Sequence, residues 1–365
     1  FDVKYSLFKR KIGETVWGIG WLPLGGYVKI SGMIDESMDK DQMSKPPQPW
    51  EFRSKPTWQR LIVMLGGVTV NFILAWVIYI ALAFSYGSSS IPLDSIKDGF
   101  LIKNPILLEL GFKTGDRILS NNGNKLQSYS ELRKSIITSK SYKINRDGEI
   151  ININLPVDFL GKFSSANDKT SFEFRQPFVI QSISETSLNK DYDIRKGDII
   201  YSINGEEKIY LDQIIPILTS NKNRTIEAEL LRGTFKIKKT LNVDESGKLG
   251  FMHGSTTQDI INYGYMEFKE DSYSLIESIG IGSVNFASFI GFYFDQLTAI
   301  FNPSTGAYKG LGGFIAIGNI FPSQWSWQSF WNITALLSVM LGILNLLPIP
   351  ALDGGHAMFL ISELK

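Results

Sequence analysis

Leu61 to Phe84 is a run of 24 residues without a charge, and it constrains this chain more than any other feature. As an α-helix it measures about 36 Å at 1.5 Å per residue. A bilayer's hydrocarbon core is roughly 30 Å thick, so the run is long enough to span with some tilt. Gly66, Gly67 and Asn71 interrupt it. Gly67 and Asn71 are four apart and share a helix face, and a small-plus-polar face packs against another helix better than against lipid. From Gly310 to Leu352 a further 43 residues carry no charge. Within them Ser329–Leu347 reads as a second span, stopped by Pro348 and Pro350. Trp325, Trp327 and Trp331 cluster at its start, where an interfacial aromatic belt is expected. Ala357–Ile361 begins another apolar run. Leu275–Phe294 fits either an interfacial amphipathic helix or a member of the membrane bundle.

Charge sets the orientation. Lys4, Lys9, Arg10, Lys11, Arg53, Lys55 and Arg60 precede the first span, whereas Ser85–Ser95 has no Lys or Arg. The positive-inside rule then makes the N-terminal side cytoplasmic and the long middle segment extracytoplasmic. The absence of Cys excludes thiol nucleophiles, thiolate metal sites and disulfides. His253 and His356 are the only imidazoles, and a net charge of +1 gives no electrostatic case for nucleic acid.

The middle segment contains a repeat. Gly115-Asp116-Arg117-Ile118-Leu119-Ser120-Asn121-Asn122-Gly123 returns 82 residues later as Gly197-Asp198-Ile199-Ile200-Tyr201-Ser202-Ile203-Asn204-Gly205. Each copy reads as a Gly-Asp turn, a short strand and an Asn-Gly hairpin turn. Helix-like stretches follow at Ser130–Ile137 and Leu211–Leu218, then alternating strands near Ile150–Leu155 and Thr225–Leu231. The repeat resembles the PDZ fold, whose groove accepts an extended peptide as an added strand. The alternative is a pair of plain β-rich spacers.

Two short motifs flank these parts. Gly18 to Ile30 is too rich in Gly and Pro for a spanning helix and reads as a β-hairpin or loop; at membrane depth such backbone is tolerated only when buried in protein or lining a cavity. Asn345-Leu346-Leu347-Pro348-Ile349-Pro350-Ala351-Leu352-Asp353-Gly354-Gly355-His356 follows the second span. An Asp-Gly pair in a soluble loop is a turn former. At this depth an ionisable residue is a functional candidate, and a carboxylate is a competent zinc ligand. His356 reads as a structural or interfacial His, with metal ligation as the alternative.

Taken together, Pro23-Leu24-Gly25-Gly26-Tyr27-Val28-Lys29, Phe52-x-x-Lys55-x-x-x-x-Arg60, Gly66-Gly67-x-x-x-Asn71, the tandem repeat, Leu311-Gly312-Gly313 and Asn345-x-x-Pro348-x-Pro350-x-Leu352-Asp353-Gly354-Gly355 resemble the site-2 protease family in content and order. The resemblance implies an intramembrane zinc endopeptidase of the bacterial inner membrane. Its substrates would be single-span membrane proteins such as anti-sigma factors or signal-peptide remnants. It makes Asp353 a zinc ligand and Asn345 a substrate-positioning amide. Gly25, Gly26 and Tyr27 would belong to a re-entrant hairpin beside the active site, with Asn71, Pro348, Pro350 and Gly354 supporting it. The family's other two ligands and its general base lie in a His-Glu-x-x-His helix, which these 365 residues lack. Phe1 is not Met and Lys365 follows an unfinished apolar run, so the expectation is a chain cut at both ends with that motif just upstream.

The expected architecture is a multi-pass α-helical membrane protein with a membrane re-entrant β-hairpin and two inserted extracytoplasmic PDZ-like (α+β) domains. Residues 1–60 form a cytoplasmic-side segment with the hairpin near 17–34, and 61–87 the first span. The PDZ-like domains occupy 95–160 and 174–246 in the periplasm. Residues 270–325 are membrane-associated or interfacial. Residues 329–365 hold the second span, the Leu-Asp-Gly motif and the start of a last span. Expected partners are the bilayer, single-span substrates and extracytoplasmic peptide or protein ligands of the PDZ-like domains, with no nucleic acid. A non-catalytic PDZ adaptor that binds extracytoplasmic tails is the rival reading.

Overall fold

The computed structural model describes residues 6–13, 15–20, 30–33, 46–166, 170–313, 317–349 and 352–362. Near the N-terminus β1 (Ser6–Ile12) and β2 (Thr15–Gly20) pair antiparallel, with Phe8 opposite Ile19 and Arg10 opposite Trp17. This β1–β2 hairpin is not the one expected near 17–34, most of which lies outside the described residues. Its turn uses Gly13 at φ +61°, a conformation that costs glycine nothing. Gly25, Gly26, Tyr27 and Pro350 lie outside the described residues.

Helix α1 (Thr57–Tyr86) is 30 residues long and ends at Gly87, whose φ is +64°. Met64, Val68, Ala75, Ile78 and Leu82 are buried, with half-buried Asn71 between Val68 and Ala75. The spacing alternates four and three, so these side chains form one seam along the helix. Gly67 falls off that seam: it is exposed, and the space above it is open. The expectation that Gly67 and Asn71 share a packed face therefore holds for Asn71 alone.

The inserted segment opens with β3 (Ser88–Ser90) and then builds a first module. Its elements are β4 (Phe100–Leu101), α2 (Pro105–Glu109), β5 (Arg117–Asn121), β6 (Asn124–Lys125), α3 (Tyr129–Ser135), β7 (Ser141–Arg146), β8 (Glu149–Asn154), α4 (Phe159–Ser165) and β9 (Glu173–Phe174). A four-stranded sheet runs β6-β5-β7-β8, and β4 pairs with β9. The core gathers Phe100, Leu107, Phe112, Leu132, Tyr142 and Phe172.

The second module repeats this plan. It comprises β10 (Ile180–Ile183), β11 (Ile199–Ile203), β12 (Glu206–Glu207), α5 (Leu211–Ser220), β13 (Thr225–Arg232), β14 (Phe235–Asn242) and β15 (Phe251–His253). Its sheet runs β12-β11-β13-β14, and β10 pairs with β15. The Asn-Gly turns are as the repeat requires: Asn122 and Gly123 lie at φ +47° and +83°, Asn204 and Gly205 at +51° and +83°. Both modules extend past the expected ends. The closing strands β9 and β15 follow a long hairpin, and at two and three residues they are too short to show alternation. The first core also recruits Leu93, Ile260 and Met266.

After β15 come α6 (Thr257–Asn262), β16 (Lys269–Asp271) and α7 (Leu275–Phe301), then α8 (Trp327–Leu346) and α9 (Asp353–Ser362). Strand β16 pairs with β3, closing the insertion where it began. A Cβ on Gly87 would meet the Asp271 carbonyl at 2.0 Å, so only glycine lets these two segments pass. Helices α1, α7 and α8 are each long and apolar enough to cross a membrane.

The chain divides into two compact units, residues 1–74 with 337–365, and residues 75–336. In the first unit the Ser338 hydroxyl donates to the Asn71 carbonyl at 3.1 Å. A Cβ on Gly342 would stand 3.2 Å from the Phe72 ring. Small residues on α8 thus admit α1 closely, as helices do where no water drives their association.

Candidate functional site

Helix α8 cannot continue through Pro348, which lacks the amide hydrogen and whose ring crowds the preceding turn. The chain breaks there and restarts at Asp353, the first residue of α9. The Asp-Gly-Gly stretch is therefore helical, not the loop expected from its glycines. Gly354 and Gly355 are buried. A Cβ on Gly354 would lie 2.4 Å from the Leu346 carbonyl oxygen and 2.5 Å from that of Leu347. Glycine is needed here for close approach: it lets the start of α9 sit against the end of α8 within the first unit.

Asp353 is half-buried, and among the described residues its carboxylate makes no hydrogen bond or ion pair. Asn345, in the last turn of α8, is also half-buried with no hydrogen bond to its side-chain amide among the described residues. Pro348 is exposed, and His356 is exposed one turn into α9. Asn71 takes part through its backbone carbonyl in the contact with Ser338. Among the described residues no three His, Asp or Glu side chains gather as a metal-binding group. Asp353 is thus a free oxygen donor suited to one position of a zinc site, not a whole site.

The modules hold chemistry that sequence reading passed over. The Asp of each Gly-Asp turn is fully buried and serves as a hub. Asp116 accepts from the Lys113 amide at 2.8 Å and from Arg146 Nε and Nη2 at 2.7 and 2.8 Å. Asp198 accepts from the Arg195 amide at 2.8 Å and from Arg232 Nε and Nη2 at 2.8 and 2.9 Å. The fork-to-carboxylate geometry fixes both strands at once. Arg232 also reaches Asp193 at 3.0 Å. Hydrogen bonds from Arg195, then from Arg232, hold the exposed Asp193 carboxyl below its usual pKa. The signal available in sequence was an Arg just before each Gly-containing hairpin turn, Arg146-Asp147-Gly148 and Arg232-Gly233.

A second cluster joins the modules. Arg175, between β9 and β10, forks onto Asp212 at 2.7 and 3.2 Å, reaches the Asp98 carbonyl at 3.2 Å, and lies 4.2 Å above the Tyr210 ring. The Tyr210 hydroxyl donates to Asp98 Oδ2 at 2.5 Å. Burial, reinforced by Asp98, pushes the Tyr210 hydroxyl far above its usual pKa, and burial pushes Tyr265 up to about 12. Both stay neutral, and Tyr210 acts as a donor. Asp98 belongs to the first module, Tyr210 and Asp212 to the second, so the modules are fastened to each other.

Comparison with known proteins adds the following. Residues 2–365 match Peptidase family M50. A "Putative zinc metalloprotease" of Helicobacter pylori is 30% identical over 46% of this chain and 49% of its own length. Another protein of that name, from Vibrio cholerae, is 25% identical over 99% of this chain and 84% of its own length. The chain thus spans about half of the first relative and most of the second. A solved PDZ domain of an SdrC-like protein from Listeria monocytogenes matches 23% of this chain and 90% of its own, with 18% identity and a TM-score of 0.20.

Proposed function

The chain belongs to peptidase family M50, and from that premise we propose that it is an intramembrane zinc-dependent endopeptidase that cuts membrane-spanning segments of single-span proteins. The observation that carries this reading is Asp353. Its carboxylate stands unengaged at the first residue of a helix, directly after a Pro-broken apolar helix, with Gly354 seating it against the Leu346 carbonyl. Zinc, when bound by three protein ligands, polarises a peptide carbonyl and brings a coordinated water's pKa to about 7. Asp353 supplies one of those ligands. The sequence has no His-Glu-x-x-His, so this reading takes the remaining ligands and the general base from outside these 365 residues.

The other residues prepare the substrate. A helical peptide bond is already hydrogen-bonded, so a spanning segment must unwind before it is cut. Asn345, with its amide free of described partners, would hold the unwound backbone. The loop of Gly25, Gly26 and Tyr27 would receive it by strand addition. Replacing Gly25 and Gly26 by Val should then impair cleavage without disturbing membrane insertion. In this reading the modules are PDZ-like, lie in the periplasm of a bacterium, and act as a docking platform or size filter.

The direct test is metal content. Purified full-length protein should hold zinc by elemental analysis, and Asp353→Asn should lose most of it while remaining folded and inserted. Asn345→Ala should keep zinc and lose only part of the activity, since positioning contributes orientation. Wild-type zinc content in Asp353→Asn would reduce Asp353 to a helix-start residue.

A further inference from the structure

A bare strand edge is a row of N–H and C=O groups, and so a template on which another chain can pair. The two modules treat their long edges differently. We infer that the outer edge of β8 in the first module is a self-pairing surface: it joins β8 of a second copy of this chain, antiparallel about Asn152.

Strand β8 ends its sheet, and among the described residues β7 is its one ladder partner. The turn between them, Asp147-Gly148 at φ +52° and +93°, is the two-residue kind that closes on a hydrogen-bonded pair, here Arg146 with Glu149. Bonded and non-bonded pairs alternate from there. Ile151 and Ile153 therefore bond to β7, whereas Ile150, Asn152 and Asn154 turn both backbone groups outward. The Leu155 amide donates to the Lys140 carbonyl at 2.8 Å, which fixes the phase of this alternation. Among the described residues no hydrogen bond reaches the outward groups of Ile150, Asn152 or Asn154. All three residues are exposed, Ile150 at 51%.

The second module builds the same edge and closes it. Counted from the Arg232–Phe235 pair, β14 turns Lys236, Lys238, Thr240 and Asn242 outward. The buried Asn189 side chain donates to the Asn242 carbonyl at 2.8 Å and accepts from the Asn242 amide at 2.7 Å, so it stands in for a neighbouring strand. Lys236 and Lys238 guard the remainder, since a pairing chain would have to bury or crowd their charges. Two β14 edges paired about Lys238 would bring that ammonium against its own copy. Counted from the matching arginine, Arg146, the places of Lys236 and Lys238 are held in β8 by Ile150 and Asn152. The opposite edges of the two sheets, β6 and β12, are two residues long and offer little to pair with.

The sequence of β8 fits its own copy. With a two-fold axis at Asn152, Ile150 of one copy faces Asn154 of the other, and Ile151 faces Ile153. The isoleucines on the core side of the sheet thus meet each other, and the facing Asn152 side chains have both the donor and the acceptor for an amide hydrogen bond. Glu149 is the strand's one charge. It faces Leu155, so no like charges are opposed. Each outward pair exchanges two N–H···O bonds, and the ladder stops at Pro156, which has no amide hydrogen to give. Such a contact uses the same edge on both copies, so it closes at a dimer and leaves neither β8 open to a third chain.

The chain has no cysteine, so single cysteines report the pairing directly, and no readout depends on zinc or on cleavage. The Cα atoms of a hydrogen-bonded antiparallel pair lie about 5.5 Å apart, within disulfide range. Full-length Asn152→Cys, mildly oxidised, should become a disulfide-linked dimer. Asn154→Cys alone should stay monomeric, because its two copies stand about 13 Å apart along the strands. Asn154→Cys mixed with Ile150→Cys should cross-link, and Lys238→Cys in the second module should not. Asn152→Lys installs the guard that β14 carries. It should lower co-purification of two differently tagged copies by about tenfold, because two lysines then face each other, while the circular dichroism and urea midpoint stay as in the wild type. A monomeric Asn152→Cys, or cross-linking of Lys238→Cys to the same extent, would overturn the inference. So would a disulfide between Asn152→Cys and a different protein in place of its own copy, which would make this edge a site for another chain's extended segment. Undiminished co-purification of Asn152→Lys would put the contact between copies elsewhere and overturn it as well.

Discussion

A buried carboxylate with a guanidinium fork is costly to break from one side, because the partner is left desolvated. Asp116→Asn should therefore destabilise the first module by about 3 kcal/mol, a loss readable as a lower urea midpoint. Asp198→Asn should cost less, since Arg232 keeps Asp193 whereas, among the described residues, Arg146 has no second carboxylate hydrogen-bonded to it. Equal losses would show that Asp193 adds nothing. Asp193 also gives a pH signature. Folding lowers its pKa, so the stability it contributes is present above the unfolded value, about 3.9, and is lost as pH falls through the lower folded value. The acid decline of the second module should be shallower in Asp193→Asn; an unchanged decline would remove that ion pair from the account. The Gly-Asp repeat was legible in the sequence, but its meaning was not. Asp after Gly suggests a turn, and the Arg that buries with it lies about 30 residues away, beyond any local pattern.

Helices and long hairpins were legible because their apolar periods persist over many residues. The long apolar helices α1 and α8 and the Asn-Gly turns stand where the pattern put them. Strands β9 and β15 were not legible, since two or three residues carry no period and their pairing is decided by distant β4 and β10. This has a practical consequence. A fragment of residues 95–245 lacks β15 and the core residues Leu93, Ile260 and Met266. It should be markedly less stable than residues 88–271, and equal urea midpoints for the two would show those additions to be dispensable. At the other end of the chain, glycine content suggested a loop at Gly354 where the structure has a helix start. Gly354 serves approach to Leu346, not flexibility. Gly354→Ala should push α9 away from α8 and lower zinc content or cleavage at least tenfold while the helices still form. Unchanged cleavage would mean the close contact is not needed.

Across the whole molecule, the inserted modules are bound to each other by Arg175, Tyr210, Asp98 and Asp212. Tyr210→Phe with Arg175→Ala should let them tumble separately, visible as a shorter rotational correlation time for each. An unchanged correlation time would place the fastening elsewhere. The central claim is that Asp353 is a ligand of a zinc intramembrane endopeptidase. It is tested most directly by incubating the purified full-length protein with a single-span membrane substrate and mapping the products by mass spectrometry. The expected result is a cut within the membrane segment that a zinc chelator abolishes, that added zinc restores, and that Asp353→Asn cannot perform. Cleavage by Asp353→Asn at the wild-type rate, or cleavage indifferent to the chelator, would contradict it.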